Sequence, residues 1–115
     1  MMKQIIPFKK DIIFKTKISD ITSISLEFEL EDIKEEVTGH FILSGDYKMT
    51  EASINKEDFY YKVPFNVELD EKYKIEGVKV EIEDFYYEII NNDILRANID
   101  LCIEFRRKRD RRSLS

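Results

Sequence analysis

Two side chains in this sequence are suited to nucleophilic or acid–base chemistry at neutral pH: His40, the one histidine, and Cys102, the one cysteine. A histidine base needs an orienting group and a nucleophile within hydrogen-bond reach. No such partner stands near His40 in the sequence. It alternates with Phe41 and is expected to be an ordinary outward-facing histidine on a strand. A reactive thiol needs a helix N-terminus or a cation to lower its pKa. Neither adjoins Cys102, which lies between Leu101 and Ile103 and is expected to be a half-exposed structural thiol.

One histidine and one cysteine cannot build a zinc site without carboxylates. Carboxylates are plentiful, as Glu27, Glu29 and Glu31, as Glu81, Glu83 and Asp84, and as Asp70 and Glu71. The first three share a face and would be the place to collect a cation. The simpler expectation is a solvated face that keeps a sheet in water. No calcium loop, phosphate loop, nucleophile elbow or His-Glu-x-x-His pattern occurs. The sequence therefore predicts no enzyme, no metal, no cofactor and no small-molecule substrate.

Two other features suit binding. Tyr60 and Tyr86 lie opposite the apolar parity of their segments, and outward tyrosines bury ring area at protein interfaces while their hydroxyls stay wet. They are the candidate protein-interaction residues, for a partner that includes the chain itself. The second feature is the run Arg106-Arg107-Lys108-Arg109-Asp110-Arg111-Arg112. Without its six cations and one anion, the remaining 13 basic and 23 acidic residues carry a net charge of −10. The run reads as a disordered basic tail over 106–115. Its alternative role is accessory binding to nucleic acid or an anionic surface. It lacks interleaved aromatics for base stacking, and the acidic body repels phosphate, which argues against nucleic acid.

The elements that position these residues follow from a period of two, which belongs to strands. In Ile24-Ser25-Leu26-Glu27-Phe28-Glu29-Leu30-Glu31 every even position is apolar. Val37, Gly39, Phe41, Leu43, Gly45, Tyr47 and Met49 repeat the pattern on odd positions, with Ile42 the one large apolar residue opposite. The two glycines mark a bend, a bulge or a tight approach by another backbone. Phe59, Tyr61, Val63, Phe65, Val67 and Leu69 form a third run. Pro64 on its outward face predicts an edge or bulged strand.

Val78, Val80 and Ile82 give way to Phe85, Tyr87 and Ile89, a parity switch that predicts a β-bulge near Asp84. Asn91-Asn92-Asp93 reads as a turn, and Leu95 to Phe105 as the returning arm of a long hairpin. Ile5 to Phe8 and Asp11 to Phe14 suggest one or two shorter strands. One short helical turn is open between Thr50 and Lys56. Lys34-Glu35-Glu36 and Asp70-Glu71-Lys72 read as connections. Six or seven strands with one dry and one wet face predict an all-β domain over 1–105, either an antiparallel sandwich or a partly open barrel.

The 115 residues are one domain's length, and the 43% apolar content suffices for a single core. The lone cysteine suits a reducing compartment. No apolar run reaches the roughly 20 residues of a membrane helix, and no secretory leader is visible. The chain is expected to be cytoplasmic.

Ile21-Thr22-Ser23-Ile24-Ser25-Leu26-Glu27, followed by Val37-Thr38-Gly39-His40-Phe41-Ile42-Leu43-Ser44-Gly45-Asp46-Tyr47, resembles the N-terminal domain of stage VI sporulation protein D and the related SPOCS domains of spore-coat proteins. Asp84-Phe85-Tyr86-Tyr87-Glu88-Ile89 and the arm Leu95 to Ile103 are similar to that family's C-terminal part. The resemblance runs from about Phe14 to Ile103. It implies a cytosolic β-rich module of a Gram-positive bacterium that scaffolds spore-coat assembly through protein contacts, with the forespore surface as its place of action. The long middle region and peptidoglycan-binding LysM module of the coat protein have no counterpart here, so a stand-alone relative is expected.

Overall fold

In a computed structural model, residues 2–33, 36–68 and 75–107 are described. They form six antiparallel strands: β1 (Met2–Ile13), β2 (Asp20–Ile33), β3 (Glu36–Lys48), β4 (Glu57–Glu68), β5 (Ile75–Ile90) and β6 (Ile94–Arg107). The strands make two sheets of three, ordered β1-β6-β5 and β2-β3-β4. The sheets stack as a sandwich. No pairing among the described residues joins their edges into a barrel. Long strands in narrow sheets give an elongated body, 72 × 20 × 19 Å.

The alternation read from the sequence decides which faces meet. β3 and β6 are the central strands, and Val37, Phe41, Leu43, Leu95, Ala97, Ile99, Leu101 and Ile103 are all but sealed from solvent between the sheets. Each large side chain sealed in this way contributes on the order of 1.5–3 kcal/mol. The layers interlock through aromatic rings. Phe8 of β1 packs edge-on against Phe41 of β3 at 5.3 Å and Phe65 of β4 at 5.9 Å. Phe41 and Phe65 stack at 4.5 Å. β1 thus lies over β3 and β4, which leaves β5 on the β2 side.

One end of the sandwich is plugged by the β1–β2 crossover. Phe14 N–H donates to Asp93 O at 2.8 Å, Ile18 N–H to Asn92 O at 2.5 Å, and Ser19 N–H to Lys48 O at 2.8 Å. These bonds tie the crossover to both sheets and drive Ile18 to zero exposure. Phe14 lies 5.1 Å from Tyr47 and 5.2 Å from Tyr61, and Thr16 Oγ1 and Tyr47 Oη share a hydrogen bond of 2.6 Å.

Local features match the residue types. Pro64 sits on β4, an edge strand, and pairs opposite His40. The register of β5 on β6 slips between Ile82 and Asp84, the bulge that the parity switch requires. Asn91 and Asn92 have φ of 53° and 61°, and Asp93 N–H donates to Ile90 O at 3.2 Å. Positive φ at both central residues is the geometry of the tight turn that matches strand twist. β2 carries two further bulges, at Ile21/Ser23 and Leu30/Asp32. The glycines of β3 answer them. A Cβ on Gly39 would fall on the Glu29 carbonyl oxygen and 3.0 Å from the Phe65 ring, and one on Gly45 would lie 2.8 Å from the Ser23 carbonyl carbon.

Two open readings are decided and one boundary moves. The N-terminal apolar segments form one unbroken strand, β1, because each of its residues finds a register partner on β6 from Ile94 to Phe105. Thr50 to Lys56 holds turns rather than a helix. Ser53 N–H donates to Thr50 O, and the Ser53 hydroxyl takes the Thr50 N–H, so side chains satisfy the backbone locally. β6 extends through Arg107, paired with Ile75, so the strand passes the predicted domain limit at 105. Leu69, the connection at 70–72 and residues 34–35 lie outside the described residues, as does the tail from 108 onward.

Candidate interaction surface

The outer face of β2-β3-β4 holds His40 and the glutamates. Glu29 is His40's register partner, but the imidazole Nδ1 pairs with Glu31, one step further along β2. The sequence concealed this partner because it is cross-strand rather than local. A histidine with its carboxylate is two parts of a hydrolytic triad. Among the described residues no hydroxyl or thiol hydrogen-bonds the ring, and the Glu31 carboxylate is the partner that the imidazole finds. Lys62 Nζ reaches from β4 to Glu29 Oε2 on β2 at 3.3 Å, spanning β3. That span and Glu27 roof Ile42, which is why an apolar residue of wet parity is buried.

Further along this face Asp46 and Asp58 stand opposite one another, with Ser23 Oγ donating to Asp46 at 3.3 Å. A hydrogen bond shared between the Asp46 and Asp58 carboxyls, and then the like charge of Asp46, hold the Asp58 carboxyl above its ordinary range. No three carboxylate, histidine or cysteine side chains among the described residues converge as a metal site. Glu27, Glu29 and Glu31 do share a face, but Glu29 is engaged by the Lys62 ammonium and Glu31 by the His40 imidazole.

The outer face of β1-β6-β5 holds Cys102. Its thiol is not half-exposed but buried, at 2%. On a central strand a short side chain lies between longer ones, here Ile5 and Glu81, and the Lys79–Glu81 pair at 3.0 Å closes over that side. Two rows from the plugged end, Arg96 grips Asp11 through Nε and Nη2, which donate to the two carboxylate oxygens at 2.8 and 3.1 Å. That bidentate bond holds the Asp11 carboxyl below its ordinary range. Asn98, flanked by Lys9 and Tyr86, buries its Nδ2 with no hydrogen-bond partner among the described residues.

Tyr60 and Tyr86 both point outward, 61% and 57% exposed, but on opposite faces of the sandwich. Tyr60 stands beyond Ser44 and Ser25, whose short side chains leave it proud. Tyr86 rises from β5 beside Asn98. The two cannot form one patch. No family model, no curated protein and no solved structure matches the chain.

The four sheet edges differ in protection. β1 carries Pro7 and Lys9. β4 carries Pro64 and Lys62. β2 carries two bulges, and between them its outward side chains are Ser25, Glu27 and Glu29, polar or charged throughout. These are the usual devices that keep an edge from pairing with another chain. The segment of β5 between its bulge and the turn, Asp84-Phe85-Tyr86-Tyr87-Glu88-Ile89-Ile90, has no proline, lysine or bulge. It also carries exposed apolar surface. Tyr87 is of inward parity yet 37% exposed, because an edge strand has a neighbour on one side only. The sequence counted Tyr87 with the core. The signal that marks it is the missing edge guard, which is legible only once β5 is known to be an edge.

Proposed function

We propose that this chain is a non-enzymatic protein-binding module that docks through an open sheet edge. The observation that carries the reading is the seven-residue arm of β5 with no proline, lysine or bulge, which carries exposed Tyr86 and Tyr87 at its centre. An added strand supplies main-chain hydrogen bonds to such an edge, and alternate side chains supply specificity. The paired or covered state of His40 and Cys102 favours a structural role for both. The resemblance of the β2–β3 and β5–β6 segments to sporulation-protein domains agrees with scaffolding through protein contacts. On that reading the module works in the cytosol and, in a sporulating host, at the forespore surface. No helix among the described residues is long and apolar enough to cross a membrane.

The test is immobilised chain offered its host lysate and soluble copies of itself, wild type against Tyr87→Lys and Tyr60→Ser. A captured protein, the chain included, that is lost with Tyr87→Lys and kept with Tyr60→Ser is the expected result. Capture of nothing, or capture indifferent to Tyr87→Lys, overturns the reading.

A further inference from the structure

We infer that the strand accepted by the β5 edge is β5 of a second copy, paired antiparallel about a two-fold axis at Tyr87. The inference rests on the edge-docking reading above and names its partner. Three observations on the arm support it.

The first is its bounds. Pairing beyond Asp84 meets the bulge and beyond Ile90 the turn, so residues 84–90 are the stretch straight enough to pair. Tyr87 is its midpoint.

The second is the direction of the backbone groups. The Phe85 N–H is taken by the Asp84 carboxylate at 2.9 Å, so it points away from β6. Groups along a strand alternate in direction, so the N–H and C=O of Tyr87 and Ile89 point the same way. The arm therefore offers a ladder whose centre is a hydrogen-bonded Tyr87–Tyr87 pair. Asp84 caps one rung and must swing aside.

The third is self-complementarity. In this register Asp84 faces Ile90, Phe85 faces Ile89, and Tyr86 faces Glu88 of the other copy. Both carboxylates meet neutral side chains, and no like charges stand opposite, in a body of strongly acidic charge. Like charges directly opposite would destabilise such a pair. Phe85, Tyr87 and Ile89 of the two copies merge into one apolar stripe, covering the exposed flank of Tyr87. The product is a continuous six-stranded sheet, β1-β6-β5-β5-β6-β1. An isologous contact of this kind is closed, so it stops at a dimer.

The test joins sedimentation velocity, over about 1 μM to about 1 mM because the interface is small, with disulfide trapping of the full chain in a Cys102→Ala background. Across a hydrogen-bonded pair the Cα atoms lie about 5.5 Å apart, within disulfide reach. Tyr87→Cys should give a covalent dimer at least about tenfold faster than Tyr60→Cys, since pairing raises the effective concentration. Random collision would give the opposite order, because Tyr60 is the more exposed residue.

Tyr86→Lys, which places an ammonium opposite Glu88 twice per dimer, should tighten association about threefold to tenfold. Tyr86→Glu should weaken it by a similar factor. A chain that stays monomeric, or a Tyr87→Cys variant that links no faster than Tyr60→Cys, overturns the self-pairing. If such a monomer still captures another protein through a Tyr87-dependent contact, edge docking stands and only the identity of the partner falls. If it captures nothing, both readings fall.

Discussion

Ile18 and Ile54 are the same residue at the two extremes of burial, 0% and 94% exposed. Truncating each to alanine separates the plug of the sandwich from its surface. Ile18→Ala removes three carbon groups, worth about 2.4 kcal/mol at roughly 0.8 kcal/mol for each group taken from water. A cavity adds to this when its walls cannot relax. Here they are pinned, since Phe14, Ile18 and Ser19 donate main-chain hydrogen bonds to Asp93, Asn92 and Lys48 on both sheets. The total should fall in the upper half of the roughly 2–5 kcal/mol range for buried isoleucine truncations, near 4 kcal/mol. A domain of this size is stable by about 5–15 kcal/mol, so the variant should fold but melt about 10–20 °C lower. Ile54→Ala should change stability by less than about 0.5 kcal/mol. The chain has six tyrosines and no tryptophan, so urea unfolding is followed by far-UV circular dichroism and tyrosine fluorescence. A difference between the two variants below about 1 kcal/mol, at equal denaturant slopes, would refute the view that the crossover locks the two sheets.

Gly39→Ala should cost at least the roughly 1–3 kcal/mol of overpacking, because the new methyl meets the Glu29 carbonyl on one side and the Phe65 ring at 3.0 Å on the other; an unchanged urea midpoint would contradict that close approach. Asp58→Asn should stabilise the fold at pH 7, because a carboxyl whose folded pKa is raised opposes folding once both states ionise. That gain should fade as pH falls through the folded pKa, and thermal melts at pH 7 and pH 3 measure it. Asp11→Asn should show the opposite sign: its folded pKa is lowered by Arg96, so the wild-type advantage is present at pH 7 and is lost as pH drops through that value. Cys102, at 2% exposure, should react with a disulfide reagent at a rate set by opening of the fold, so that unfolding in urea speeds labelling many-fold; equal rates in native and unfolded protein would place the thiol at the surface.

The strands and their faces were legible in the residues because the inward side chains of a half-buried strand recur every second position. Ile24 to Leu30, Phe59 to Val67 and Leu95 to Phe105 state their faces outright. The bulge at Ile82/Asp84 showed itself as a break in parity, and the β4 edge as Pro64. The β2 bulge at Ile21/Ser23 left the same trace, since both Ile21 and Ile24 face inward, but its meaning depends on β3 lying alongside.

Pairing across strands was decided by the tertiary structure alone. It brought Glu31 to His40, Asp11 to Arg96 and Asp46 to Asp58, pairs separated by 9, 85 and 12 positions in the chain. It buried Cys102 and Ile42, which occupy wet parity, because neighbours on flanking strands close over a central one. It set Tyr60 and Tyr86 on opposite faces. It also exposed Tyr87, since no periodicity tells which strand lies outermost. A strand's own residues fix its two faces, while its flanks are fixed by whatever lies beside it, and on β5 one flank is bare.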